Sequence, residues 1–329
     1  MQNIYKYILF LLFLFLITGC SSKKLTIKSL HPSKIPNEKI YSVYVEDFVN
    51  DDIYQSLKIQ SKLTNKLIDG KNVFRVTNNF QNVDAIIQGT TSSTLNYSTY
   101  YQEEIDYKRC RYYRHENNKK GKRTKKCVEY FVRLIPCENR EYNVETNLRL
   151  LKQNTNEILF AKTYNKSRNI RQCFRYHYYP YHIIPRDKRE INTKLAALIA
   201  DEFIDDISPH YEYWDVYIIE ELDKNSLSFT DDQEERFEKA VELLENRHLD
   251  IAKIEFEKLN TEFQSKSFEV IYNLALINEA YNKLENARNL YIMAKTLTTN
   301  IDYLDLIKYA INRTNMNLEE KIKAKSQLP

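Results

Sequence analysis

Five cysteines, six histidines and a run of carboxylates are the residues of this 329-residue chain whose types could do chemistry. Cys173, His177 and His182 stand at spacings of x3 and x4 and superficially offer metal ligands. Cys110, Cys127 and Cys137, at x16 and x9, lack the paired C-x2-C knuckle of a zinc site. Asp201, Glu202, Asp205 and Asp206 look like paired acids, but they fall on the polar side of an amphipathic segment, where a solvated face is the ordinary explanation. His31 lies in a polar stretch, and His177 and His182 flank Tyr178–Tyr181, positions typical of surface or turn histidines. No G-x-S-x-G elbow or H-E-x-x-H helix occurs, and 4 glycines leave little for a phosphate-cradling loop. The expectation is a non-enzyme with no catalytic residue, no metal and no cofactor.

The chemistry with a clear address is at the start of the chain. Met1–Lys6 is weakly positive, and Ile8–Ile17 is an unbroken apolar run. As a helix that run rises only about 15 Å, half a bilayer's hydrocarbon thickness, so it reads as an export signal and not as a membrane span. Ile17-Thr18-Gly19-Cys20, followed by Ser21-Ser22-Lys23-Lys24, resembles the lipobox of bacterial lipoproteins. The resemblance implies cleavage after Gly19, removal of residues 1–19 and acylation of Cys20, whose acyl chains exceed the two signals that stable anchoring needs. Ser21 stands where an Asp would favour inner-membrane retention, which implies an outer-membrane lipoprotein held on the periplasmic side or at the surface. No later stretch is apolar enough to span, and residues 20–38, with Pro32 and Pro36, read as a tether.

Export changes the reading of the remaining cysteines. An even number, Cys110, Cys127, Cys137 and Cys173, suggests two disulfides in an oxidising compartment, with all three connectivities open. Free thiols and the metal site remain as rivals. None of the four lies in the C-terminal third, so whatever they staple is N-terminal.

A mature chain of about 310 residues suggests roughly two domains. Its 26 Tyr and 15 Phe suit half-buried sheet surfaces, although an AT-rich genome enriches tyrosine too. Charge is unevenly placed. From Tyr107 to Arg133 there are eleven Lys or Arg against two acids, and from Glu220 to Glu262 fourteen acids against six bases. Arg111, Arg114, Lys119, Lys120, Lys122 and Arg123, interleaved with Tyr112 and Tyr113, form a candidate polyanion contact. Export excludes nucleic acid as the partner and leaves lipopolysaccharide phosphates, acidic glycans or an acidic protein face. The plain alternative is a solvated hairpin tip closed by Cys110–Cys127.

The elements that must position these residues follow from periodicity. Ile40–Val45 reads as a strand; Asn50-Asp51-Asp52 caps a helix carrying Ile53, Leu57, Leu63 and Leu67, with Gly70 at its stop. Val73–Val76 and Val83–Tyr97 read as strands, then comes the basic excursion 98–127, and strands resume at Val128–Ile135. Tyr142–Leu150 alternates apolar and polar residues and turns at Gln153–Asn156 into Ile158–Tyr164, a hairpin. Asp187–Ile207 is a helix whose stripe holds Leu195, Leu198, Ile199, Ile204 and Ile207. This order predicts an α+β domain over 39–208, a mostly antiparallel sheet with packed helices. The strand–helix opening, the phrase Val83–Gly89, the hairpin Leu148–Leu159 and the closing helix resemble the CsgG/LpoB-type periplasmic lipoprotein domain, found in curli secretion channel subunits and activators of cell-wall synthases. The cysteine-bearing insertion departs from that pattern.

After a linker over 209–232, residues 233–329 read as all-α. Ala240, Ala252, Phe256 and Leu259 recur, 35 residues on, as Ala275, Ala287, Tyr291 and Ala294. This resembles the tetratricopeptide repeat, with Tyr303–Asn312 opening a third, degenerate pair or a cap. Asn278 in place of a Tyr, and no Pro after either second helix, depart from its pattern.

The functional expectation is a non-enzymatic, lipid-anchored periplasmic scaffold that binds a protein of a cell-envelope machine through its helical repeats. The alternatives are a ring-forming secretion-channel subunit or a lipopolysaccharide- or glycan-binding lipoprotein. The density of Arg, Lys and Glu in the excursion weighs against a lipid-facing hairpin there.

Overall fold

The computed structural model describes residues 22–35, 38–117, 122–175, 187–224 and 226–329. In chain order the elements are β1 (Lys24–His31), β2 (Ser42–Val45), α1 (Gln55–Thr64), β3 (Leu67–Ile68), β4 (Lys71–Asn72), β5 (Arg75–Thr77), β6 (Ala85–Asn117), β7 (Arg123–Lys152) and β8 (Ile158–Cys173). Then follow α2 (Lys188–Ile207), β9 (His210–Tyr217), α3 (Asp231–Glu245), α4 (Leu249–Glu262), α5 (Phe268–Ala280), α6 (Leu284–Leu297) and α7 (Ile301–Gln327). They divide into two units. Ser33–Ser208 makes the sheet unit, and the described residues before Ser33 join Pro209–Gln327 in a helical unit.

In the sheet unit the strand order is β5-β2-β6-β7-β8. β2 runs parallel to β5 and β6, whereas β6, β7 and β8 are antiparallel. The Asp84 carboxylate accepts the backbone N–H groups of Tyr41 and Ser42 at 2.9 and 2.7 Å, tying the start of β2 to that of β6. α2 packs on β7 and β8, burying Leu195, Ile199 and Phe203 with Tyr142, Val144, Leu148 and Leu150; Phe203 meets the Tyr164 ring edge-on at 6.1 Å. Gly89 lets Phe48 and Leu148 close over β6, because a Cβ there would lie 2.9 Å from both. The hairpin expected at Gln153–Asn156 is present, with Asn156 at φ 57°.

Some local expectations fail for identifiable reasons. α1 begins only at Gln55, so Ile53 and Leu67 lie outside it, Leu57 faces solvent, and Ile59 with Leu63 forms the buried stripe. Gly70, at φ +78°, turns β3 into β4 and does not stop the helix. Leu198 is exposed on α2, off the stripe assigned to it.

The helical unit corrects two larger expectations. Residues 24–31 are no tether: Leu25 and Ile27 are buried while Lys24 and Lys28 face out, and β1 pairs along its whole length with β9, inside the expected linker. The all-α tetratricopeptide-like repeat domain over 233–329 is also overturned. The unit includes the β1–β9 sheet, packed against α7 and α5. α5 is buried at every position from Phe268 to Ile277, so it is a central core helix and not an amphipathic repeat helix. α7 is one 27-residue helix where a third, degenerate pair or a cap was expected. Ala240, Ala252, Phe256, Ala275, Ala287 and Tyr291 are all fully buried. Their 35-residue shift records what any bundle of short helices demands, namely small residues where helices approach and an aromatic where they do not.

Local chemistry explains the boundaries. Thr230 and Gln233 form a reciprocal capping box at the start of α3, whose first turn carries Asp231, Asp232 and Glu234. Ser267 caps α5 by accepting the Val270 N–H. Between α5 and α7 lies a buried ion pair: the Arg313 guanidinium donates to both Glu279 oxygens at 2.9 and 2.7 Å, and the Tyr291 hydroxyl donates to Glu279 Oε2 at 2.7 Å.

Candidate functional site

The longest strands build the most distinctive surface. β6 and β7 pair without a register shift from Ala85↔Lys152 to Asp106↔Phe131, so directly opposed residues share a face. On the helix-covered side the series runs Ile87/Leu150, Gly89/Leu148, Ser93/Val144 and Leu95/Tyr142. A polar belt closes it. The Tyr142 hydroxyl donates to Asp187 at 2.7 Å, Arg140 pairs with Asp187 and Glu138, and the Tyr97 hydroxyl donates to Glu138. Burial first, then the bond to Asp187, pushes the Tyr142 phenol up to about 12.

Beyond the belt the same face continues uncovered among the described residues. Tyr101/Pro136, Glu103/Leu134 and Ile105/Val132 succeed one another, and Tyr107 meets Tyr130 edge-on at 5.1 Å. Tyr101 and Tyr107 are 68% and 72% exposed, and Ile105, Val132 and Leu134 are exposed as well. Glu103 is the acid within this band. The opposite face carries the charges, already paired. Glu104 accepts from Arg133 and Arg175 at 2.8 and 3.1 Å, Arg109 lies over Phe131 at 5.0 Å, and Arg111 bonds Glu129 at 3.0 Å. The outer ribbon thus has one mainly apolar, aromatic face, interrupted by Glu103, and an opposite face on which ion-paired charges flank Phe131.

Its edges are bare too. β8 pairs with β7 only from Cys137 inward, and β2 with β6 only to Ile87, after which a single Val49–Thr90 bridge remains. Among the described residues no strand pairs with the side of β6 away from β7 from Ser92 outward, or with the outer side of β7 between Arg123 and Pro136. Unpaired edges of this length invite pairing with another strand.

The cysteines staple the ribbon. Disulfides join Cys110 to Cys127 near its tip, with Cα atoms 5.8 Å apart, and Cys137 to Cys173, register partners on β7 and β8. Between them the register shifts near Cys110, Tyr112 and Tyr113. Among the described residues no cluster of His, Cys, Asp and Glu could hold a metal, and no helix is long and apolar enough to cross a membrane.

The other expected site residues are dispersed. Cys20, Lys119, Lys120, His177 and His182 lie outside the described residues. Arg111 is neutralised by Glu129 and lies over Tyr112, whereas Arg114 stands directly opposite Lys126 and His115 opposite Lys125. Lys122 and Arg123 begin the return limb, Arg123 opposite Asn117. The acidic quartet on α2 is not a simple solvated face. Asp201 pairs with Lys62, Asp205 with Lys66, Glu202 with Lys162 and Lys166, and buried Asp206 with Lys34, Lys162 and the Tyr164 hydroxyl. These pairs brace α2 against its neighbours and leave no carboxylate aimed at a cavity. His31 is buried in β1, with Nδ1 2.6 Å from Glu320.

Tyr101, Ile105, Tyr107, Tyr130, Val132 and Leu134 were not singled out from the sequence. The alternation in Val128-Glu-Tyr-Phe-Val-Arg-Leu134 was the available sign. No protein-family model matches the chain, and no curated protein matches it in sequence.

Proposed function

We propose that this chain is a non-enzymatic envelope lipoprotein, anchored through Cys20, whose ribbon joins those of other copies in a closed membrane barrel: a ring-forming channel subunit similar in kind to the curli secretion channel. The observation that carries the reading is the sorting of the ribbon's side chains, Tyr101, Ile105, Tyr107, Tyr130, Val132 and Leu134 on one face and the ion-paired charges on the other. A membrane barrel needs that dyad pattern, apolar outward and polar inward. It also needs every backbone group paired, which a lone ribbon cannot achieve and neighbouring ribbons can. The free edges belong to antiparallel strands, so copies set side by side continue an antiparallel sheet. The apolar band is about 20 Å long at 3.4 Å per residue, near the ~25 Å height of outer-membrane barrels. At two strands per copy, an aqueous lumen of about 16 strands takes about eight copies.

Counting charge along the chain hid this possibility, because the strand alternation segregates those charges. The adaptor reading has lost the repeat groove on which it depended. The test is to extract the lipidated protein in mild detergent, image it and reconstitute it in planar bilayers. Rings and discrete conductance steps are expected, both abolished when residues 102–135 are replaced by a short turn. Folded monomers that never conduct, even from lipid-rich preparations, would sink the reading.

A second reading has its own observation. Arg114 opposite Lys126 places like charges across a strand pair, an arrangement that costs stability unless an anion offsets it. The tip would then bind lipid phosphates. Substituting Arg114→Glu and Lys126→Glu together should abolish retention on lipopolysaccharide-coated beads while leaving rings intact.

A further inference from the structure

The β1–β9 sheet has one face packed and one that is bare from Lys24 to Lys28, ending at buried Leu30 on the same side. Leu25, Ile27 and Val216 are buried in the core of the helical unit. The bare side carries Lys24, Thr26 and Lys28 on β1 with Tyr211, Tyr213, Asp215 and Tyr217 on β9. Lys24 Nζ sits over the Tyr217 ring at 4.8 Å and Lys28 Nζ over the Tyr211 ring at 4.5 Å, while Thr26 donates to Asp215 at 2.8 Å. Tyr213 is 69% exposed. Position makes this face unusual. The chain is already held at Lys23, whose N–H donates to Glu220 at 2.8 Å and whose carbonyl accepts from Ile218 at 3.0 Å. Only Ser21 and Ser22 separate that point from Cys20, a reach of about 11 Å.

From this we infer that the bare face of β1–β9 is a membrane-docking surface: the lipid on Cys20 draws it down, and its tyrosines and lysines engage anionic headgroups. The inference rests on acylation of Cys20 and on nothing in the ribbon. An anchor on a long tether would leave the folded part free to tumble, whereas one attached about 11 Å from a folded strand keeps that strand at the bilayer. Tyrosine, with an apolar ring and a polar tip, favours that interface, and lysines on long stems reach phosphates from it. Tyr213 and the Lys28 ammonium need no protein partner to explain them there.

The test uses full-length protein made in cells, purified and reconstituted into phosphatidylglycerol-containing vesicles, with a Tyr213→Trp, Trp214→Phe pair so that one indole reports on the face. Palmitate incorporation, lost in Cys20→Ala, reads the anchor separately. Lipids brominated near the headgroup should quench the indole at least twofold, and Lys24→Glu with Lys28→Glu should at least halve that quenching. Intact palmitate with an unquenched indole, whether open to iodide or shielded by protein, would overturn the docking face alone. Absence of palmitate would overturn the anchor and the inference with it. Should Trp214→Phe impair folding, a spin label on Thr26→Cys gives the same depth measurement.

Discussion

Tyr107 meets Tyr130 edge-on, ring centroids 5.1 Å apart, on the face of β6–β7 that continues the covered side of the sheet. The pair stands where the register begins to shift, so it closes the regular part of the apolar band. Ile105→Arg and Leu134→Arg place a cation within that band. Both residues are solvent-exposed in the single chain, so urea denaturation of the detergent-free mature protein should change by no more than about 0.5 kcal/mol. Membrane integration should suffer by about 2–4 kcal/mol per chain if the band faces lipid. Alkali extraction of membranes distinguishes the two, and extraction equal to wild type would rule out a lipid-facing band.

The Cys110–Cys127 disulfide closes a loop across 17 residues of separation at a place where ladder register is irregular. Paired Cys110→Ser and Cys127→Ser substitutions should cost about 3 kcal/mol of local order on the chain-entropy account. Trypsin should then cut between Lys108 and Lys126 at least tenfold faster, with the hairpin at 142–164 still protected.

Arg313 and Glu279 make the helical unit's costliest pair to break, since their side chains are 7% and 1% exposed. Arg313→Met leaves the carboxylate buried and should destabilise by about 3–5 kcal/mol. Arg313→Met combined with Glu279→Leu removes both charges and should recover most of that loss. Denaturation midpoints across this double-mutant cycle check the coupling; equal losses in single and double variants would show that the pair is not a unit.

Asp206 gives a pH dependence. Burial alone would raise its carboxyl, but hydrogen bonds from Lys162, Lys34 and Tyr164 hold it below its ordinary value of 3.8. A folded-state value below the unfolded one contributes stability above 3.8 that is lost as pH falls through the folded value. Lys162 is shifted the other way: burial opposes its charge, yet Asp206 and Glu202 hold it above 10.5, so its contribution is present below that pH and is lost as pH rises through the folded value. Stability of the sheet unit should therefore be level between about pH 5 and 10 and decline at both ends. Asp206→Asn should lower the plateau by about 1–3 kcal/mol and flatten the acid limb, as read from urea midpoints against pH.

Much of the sheet unit was legible locally. The Tyr142–Leu150 alternation and the Gln153–Asn156 turn specify a hairpin because both strands bury one face, and a one-residue slip would turn that face out. The helix over 188–207 was equally clear. The short connections were not: Gly70 and Leu67 belong to a small hairpin whose existence depends on where α1 begins.

The sequence by itself determined the apolar run before Cys20, the even set of four later cysteines, the alternation of the long strands and the helical character of the last third, because each is a local pattern of residue types. Tertiary structure decided what those patterns mean. It paired Cys137 with Cys173, register partners on β7 and β8, and Cys110 with Cys127 across the shifted register near the ribbon's tip, pairings that spacing alone leaves open. It drew Lys24–His31 out of an expected tether to pair with His210–Tyr217, a strand that begins 186 residues after it, a contact no local pattern encodes. It merged the C-terminal helices with that sheet into one core in place of a repeat array. It also placed Tyr101, Ile105, Tyr107, Tyr130, Val132 and Leu134 together on one face of a ribbon, with the Glu104–Arg133 and Arg111–Glu129 pairs on the other, since in a strand the face of each side chain is set by its place in the alternation and not by its neighbours in the sequence.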